Sequence, residues 1–100
     1  MGFKSPAHLR RHCLDHMREV GASTCVEYLA FATNFMTKPK TGTMHEYTRS
    51  KGDCLRYDES TQEFGLISNS GVLRSYFKPN PAIHGLPSNL DYFGRECLIH

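Results

Sequence analysis

Three histidines, His8, His12 and His16, recur at intervals of four residues near the start of this 100-residue chain. On an α-helix that spacing stacks them one turn apart along one side. An imidazole titrates close to neutrality, so a histidine at the shoulder of a buried face can take a proton from a substrate in a neighbouring cleft, or return one. His16 falls closest to the apolar stripe of its segment. His12 and His16 are therefore the candidates for acid-base work, while a surface role is the plainer reading of His8. The same spacing can ligate a metal, but the metalloprotease pattern needs a glutamate beside the first histidine, and Cys13 follows His12 instead. No metal site is assigned.

A second group of residues is cationic and hydroxyl-bearing: Arg49, Arg56, Arg74, Ser75, Tyr76 and Lys78. Arginine meets phosphate through a planar fork and lysine through a point charge, and hydroxyls donate to the nonbridging oxygens. Taken singly these are ordinary solvent-facing residues. Beside the histidines they match what metal-independent RNA cleavage requires. The attacking 2′-hydroxyl is already in the substrate, so the protein supplies a base for its proton, an acid for the leaving 5′-oxygen and positive charge for the phosphorane. No cofactor is needed. The chain has no glycine-rich phosphate loop, no Gly-x-Ser-x-Gly elbow and no suggestively paired carboxylates, which counts against nucleotide hydrolysis, esterase and glycosidase chemistry.

These residues must be positioned by two kinds of element. Over 5–38 the apolar residues recur at helical spacing, and over 43–78 they form short runs broken by turn residues. Ser5 and Pro6 suit the N-cap and first position of a helix that Gly21 closes, with Leu9, Cys13, Met17 and Val20 as its buried stripe. Thr24 and Glu27 form a capping box for a second helix, whose core face is Cys25, Leu29, Ala32 and Met36 with Tyr28 and Phe35 in support. Lys38-Pro39 stops it. Strands are predicted over 43–48, 53–58, 63–67 and 72–77, and connections this short imply an antiparallel meander. The predicted fold class is α+β, with two N-terminal helices packed on one face of a curved antiparallel sheet of about four strands. The tail, 79–100, holds three of the five prolines and is expected to be ordered by its aromatics rather than by regular structure.

Composition bounds the rest. With 39% hydrophobic and 22% charged residues, the chain is rich enough in core formers to fold, and its length allows one domain over 1–100. A net charge of +2 permits a polyanionic partner without demanding one. No apolar run is long enough to cross a bilayer and the first residues lack the apolar stretch of a signal peptide, so the chain is expected to be soluble as written. Cys13, Cys25, Cys54 and Cys97 include no Cys-x-x-Cys pair; free thiols in a reducing compartment are the preferred reading, with disulfides of undetermined connectivity as the alternative.

A whole-chain pattern is also present. It runs Leu9-x-x-His12-x-x-x-His16, Glu27-Tyr28-x-x-Phe31-Ala32-x-x-Phe35, Gly52-Asp53-x-x-Arg56-Tyr57-Asp58, Thr61-x-x-Phe64-Gly65, Gly71-x-x-Arg74-Ser75-x-Phe77-Lys78-Pro79 and His84-Gly85-x-Pro87-x-Asn89-Leu90-Asp91-Tyr92-Phe93. In that order it resembles the small C-terminal RNase toxin domains of bacterial polymorphic and contact-dependent inhibition systems, which share the barnase, EndoU, colicin and RelE nuclease fold. The resemblance implies an endoribonuclease that needs no cofactor, with RNA, and tRNA in particular, as substrate rather than DNA. It implies delivery from a producing bacterium, action in the cytoplasm of a competitor, and a cognate immunity protein. Carried over by position, His12 is the base or acid, His16 its partner or orienter, Arg56 the phosphate clamp and Ser75 a phosphorane donor, with Arg74, Tyr76 and Lys78 as RNA contacts. The sequence departs from the family pattern at Cys13, where an aromatic is usual, and at Asp15 and Met17, which replace the basic residue and glycine around the second histidine. Asp15 is placed to orient His16. The alternative is a noncatalytic RNA-binding or protein-interaction module on the same fold. The catalytic reading expects both imidazoles over a cationic sheet surface that carries Arg56.

Overall fold

The computed structural model describes residues 2–99. The described residues form, in chain order, β1 (Gly2–Phe3), α1 (Pro6–His16), α2 (Cys25–Thr37), β2 (Met44–Thr48), β3 (Cys54–Asp58), β4 (Glu63–Ile67), β5 (Val72–Phe77), α3 (Pro81–His84) and α4 (Asn89–Cys97). The four expected strands pair as an antiparallel meander, and β1 adds a fifth, parallel to β5, giving the order β1-β5-β4-β3-β2. The sheet is therefore mixed, where an all-antiparallel one was expected.

The caps form as their chemistry dictates. Ser5 accepts the His8 N–H with Pro6 in the first turn, and Thr24 accepts the Glu27 N–H while the Glu27 carboxylate accepts the Ser23 N–H. The first helix ends earlier than expected, at His16, and a further turn follows before Gly21 reverses the chain at φ +83°. The tail departs more. Asn80 caps α3 with Pro81 in its first turn, Gly85 ends it in the left-handed region, and Ser88 caps α4 by accepting the Asp91 N–H. Pro81 here starts a helix rather than preventing one.

Side chains alternate across the sheet and fill two cores, so helices cover both of its faces rather than one. On one face α1 and α2 press Cys13, Tyr28, Ala32, Phe35 and Met36 against Met44, Ile67, Leu73 and Tyr76. On the other, Phe93 of α4 packs with Leu55, Tyr57 and Phe64. Gly65 lets α2 approach closely, since a Cβ there would lie 2.5 Å from Met36 Sδ and 3.0 Å from the Phe35 ring. No helix among the described residues is long and apolar enough to cross a membrane.

Cys13 and Cys25 are joined by a disulfide, contrary to the free-thiol expectation. The turn at Gly21 folds the start of α2 back on the middle of α1 and brings the two Cα atoms within 5.4 Å, a separation that a bridge spans without strain on the backbone. Cys54 and Cys97 remain free, on opposite faces of the sheet.

Candidate active site

The histidine ladder of α1 lies along β5, at the sheet margin that the two residues of β1 cover only in part. Phe3, held beside Leu73 by β1 pairing, stacks on the His12 ring at 4.9 Å, and the His16 ring stacks on Phe77 at 5.0 Å. The two imidazole centroids are 6.3 Å apart. His12 therefore sits over the start of β5 and His16 over its end.

Beyond β5 an open cleft of about 530 Å³ is bounded by His16, Glu19, Phe77, Lys78, His84 and Tyr92, with Ile83 and the adjoining prolines on its rim. His16 and Glu19 face each other across the end of α1, with Nδ1 to Oε1 at 2.9 Å. The same carboxylate oxygen accepts the Lys78 backbone N–H at 3.1 Å, so Glu19 ties the end of α1 to the end of β5. A carboxylate on Nδ1 favours the tautomer in which Nδ1 carries the proton and Nε2 presents its lone pair. Nε2 has no hydrogen-bond partner among the described residues. Asp15, expected to orient His16, is exposed, and that part falls to Glu19.

His12 is half-buried. Burial first, and then the neighbouring His16, hold its imidazole below the ordinary histidine range, with Asp15 opposing. His84 forms a wall of the cleft with both ring nitrogens engaged: Nδ1 accepts the Leu86 N–H at 3.1 Å and Nε2 donates to Asn89 Oδ1 at 3.0 Å. Asn89 in turn donates to Gln62, which accepts from Tyr57. The His84 ring stacks on Tyr92 at 4.9 Å, and burial pushes the Tyr92 phenol up, keeping it a neutral donor.

The remaining expected site residues are dispersed. Arg56 shares a row with Gly65 and Tyr76, whereas Ser75 pairs with Leu66, one residue out of that row and therefore on the opposite face. Arg56 is 9% exposed; its Nε donates to Glu46 at 2.5 Å and its Nη1 to the carbonyls of Phe35 at 3.0 Å and Lys38 at 2.7 Å. It is a clamp on the C-terminal end of α2, where unpaired carbonyls attract a cation, and it stands two strands away from the histidine-bearing margin. Arg49 serves α4 in the same way, donating twice to the Glu96 carbonyl. Tyr76 is buried and donates its hydroxyl to Glu63. Burial, then that bond, push its phenol far up, and it is not a surface RNA contact. Lys78 alone of the cationic set lines the cleft with His16, and Arg74 projects into a separate cavity beside His12.

Arg56→Ala tests this internal role. Removing the guanidinium leaves two helix-end carbonyls and Glu46 without their donor, and the expected loss is about 2 kcal/mol of stability, the range for hydrogen bonds to a charged group. Denaturant melts measure the loss directly. Unchanged stability together with abolished RNA cleavage would return Arg56 to the catalytic set.

Sequence reasoning missed Glu19, Tyr92 and His84 as cleft residues. Glu19 had a legible signal, its position three residues after His16. The other two reach the cleft only through the packing of α3 and α4. Among the described residues no three His, Cys, Asp or Glu side chains converge as metal ligands would.

No family model matches the chain, and no curated protein matches it. Among solved structures it is similar in fold to a ribonuclease from Escherichia coli complexed with its inhibitor protein. The TM-score is 0.53 at 16% identity, covering 73% of this chain and 84% of that one. At that identity the likeness is one of architecture, and it agrees with the α+β class of this chain.

Proposed function

We propose that this chain is a metal-independent endoribonuclease domain acting on RNA, with tRNA as its expected substrate. The observation that carries the reading is His16, oriented by Glu19 and with Nε2 unpaired, in an open cleft beside Lys78. His16 takes the proton of the 2′-hydroxyl, O2′ attacks the adjacent phosphorus, and Lys78 faces the charge that develops on the nonbridging oxygens. Tyr92 offers a further neutral donor. His12, one turn back, returns a proton to the departing 5′-oxygen; burial disfavours its imidazolium, so this step runs best on the acidic side of neutrality, where the ring is protonated. Of the roles carried over from sequence, His12 keeps that of acid, His16 moves from partner to base, and Arg56 and Ser75 are left out.

The biological setting follows the resemblance: a toxin delivered from a producing bacterium into a competitor's cytoplasm, with a cognate immunity protein seated over the cleft. A fold shared with a ribonuclease solved together with its inhibitor supports the inhibitor partner in that reading. So does the Cys13–Cys25 bond, which suits a domain that passes through an oxidising compartment.

Incubation with total tRNA in EDTA tests the chemistry. Discrete fragments ending in 2′,3′-cyclic phosphate and 5′-hydroxyl are expected. Intact RNA with a salt-sensitive gel shift would replace the enzyme by a noncatalytic binding module.

A further inference from the structure

A second cavity, of about 320 Å³, opens beside His12 and is lined by Phe3, Lys4, His8, His12 and Arg74 together with apolar residues of β5. Every ionisable group in that lining is cationic or an imidazole, and no carboxylate is among them. Neither Lys4 nor Arg74 takes part in an ion pair among the described residues, in contrast to Arg49 and Arg56. Two features of the backbone put these groups together. Parallel pairing of β1 with β5 sets Phe3 beside Leu73 and brings Lys4 next to it. A bulge then turns Arg74 outward, for Ser75 pairs with Leu66 and Leu73 with Ile67, leaving Arg74 without an opposite residue on β4. A bulge that exposes one arginine at the rim of a cavity already holding a lysine and two histidines has the form of an anion site.

The cavity is separate from the cleft but neighbours it along α1. His12 lines it, His16 lines the cleft, and their rings stand 6.3 Å apart. A strand whose scissile phosphate lies between the two imidazoles therefore carries its neighbouring nucleotide into this cavity. We infer that the cavity is a second nucleotide subsite, in which Lys4 and Arg74 bind the adjoining phosphodiester while the stacked Phe3 and His12 rings give its base an aromatic wall. The inference rests on the ribonuclease reading for the direction of the strand, while its binding component can be measured independently of cleavage. Base stacking on such a wall tolerates any sequence, so this subsite strengthens binding without selecting a base.

The test is a salt titration with a short fluorescein-labelled 2′-O-methyl RNA, which cannot be cleaved, read by fluorescence anisotropy over a series of KCl concentrations. Each phosphate contact on a single strand contributes about 0.7 to the slope of log K against log salt. Lys4→Gln and Arg74→Gln should each flatten the slope by about 0.7, and the double variant by about 1.4. The exposed pair Lys40→Gln and Lys51→Gln, outside both cavities, should leave it as in the parent. With cleavable RNA the double variant should raise KM and leave kcat unchanged. A parental slope in the double variant overturns the subsite, even if the parent cleaves RNA. A flattened slope in the double variant, with a parent that never cleaves, keeps the subsite and overturns the ribonuclease reading instead.

Discussion

Replacing His16 by alanine lowers kcat for RNA cleavage by about 100-fold or more, the range for losing a positioned acid-base group. The ring is half-buried and its apolar contact is a single stack on Phe77 at 5.0 Å, a pair worth about 1 kcal/mol beyond its buried area, so the variant stays folded and the loss is read in the rate. Glu19→Gln separates orientation from chemistry. The amide keeps an acceptor for the Lys78 N–H but removes the charge that stabilises an imidazolium, and kcat should fall at least roughly tenfold with KM unchanged, as for other carboxylates that orient a catalytic histidine. Single-turnover kinetics with circular dichroism on the same samples decide it. A His16→Ala protein that cleaves at the parental rate removes the cleft from the reaction, and an equal rise in KM would place Glu19 in binding rather than positioning.

The parts of this site that could be read in advance are those that depend on neighbours in sequence. The i, i+4 histidines share a helix side whatever that helix packs against, and β4 and β5 span the expected residues because alternation and flanking turns are local signals. What failed depends on contacts between distant segments. Arg56 looked like a solvent-facing phosphate ligand because nothing near it in the chain reveals that the end of α2, around Phe35 and Lys38, will lie over it. Ser75 and Arg56 part company because side chains on a strand alternate, so a displacement of one residue in register sends a group to the other face. β1 is two residues long and carries no periodicity; only its place beside β5 makes it a strand. For α3 and α4 the signals were present in Asn80-Pro81 and in Ser88 three residues before Asp91, but proline read as a breaker concealed its other role at the first turn of a helix.

Reducing the Cys13–Cys25 bond destabilises the fold by about 3 kcal/mol, the value expected when a bridge of this sequence separation stops restricting the unfolded chain. For a domain of this size, with about 4–8 °C per kcal/mol, the melting temperature falls by about 15 °C. The bond lies where such a loss reaches function. Cys13 is fully buried between His12 and His16, and its link to Cys25 holds the middle of α1 to the start of α2, which itself packs on β4 through Gly65. Without the bridge, α1 is kept on the sheet by a narrow stripe of partly buried side chains, Leu9 and Met17 among them, and by the Glu19 contact with Lys78. Opening of α1 should therefore precede global unfolding, with cleavage lost at temperatures where the sheet is still intact. Thermal melts with and without a reductant, followed in parallel by RNA cleavage, measure both effects. Alkylation of denatured protein supplies the control, since Cys54 and Cys97 react in either state while Cys13 and Cys25 react only after reduction. Identical melting curves from samples that alkylation shows to differ in oxidation would mean that the bridge adds nothing to the fold. Loss of activity coincident with global unfolding would mean that α1 has no opening of its own.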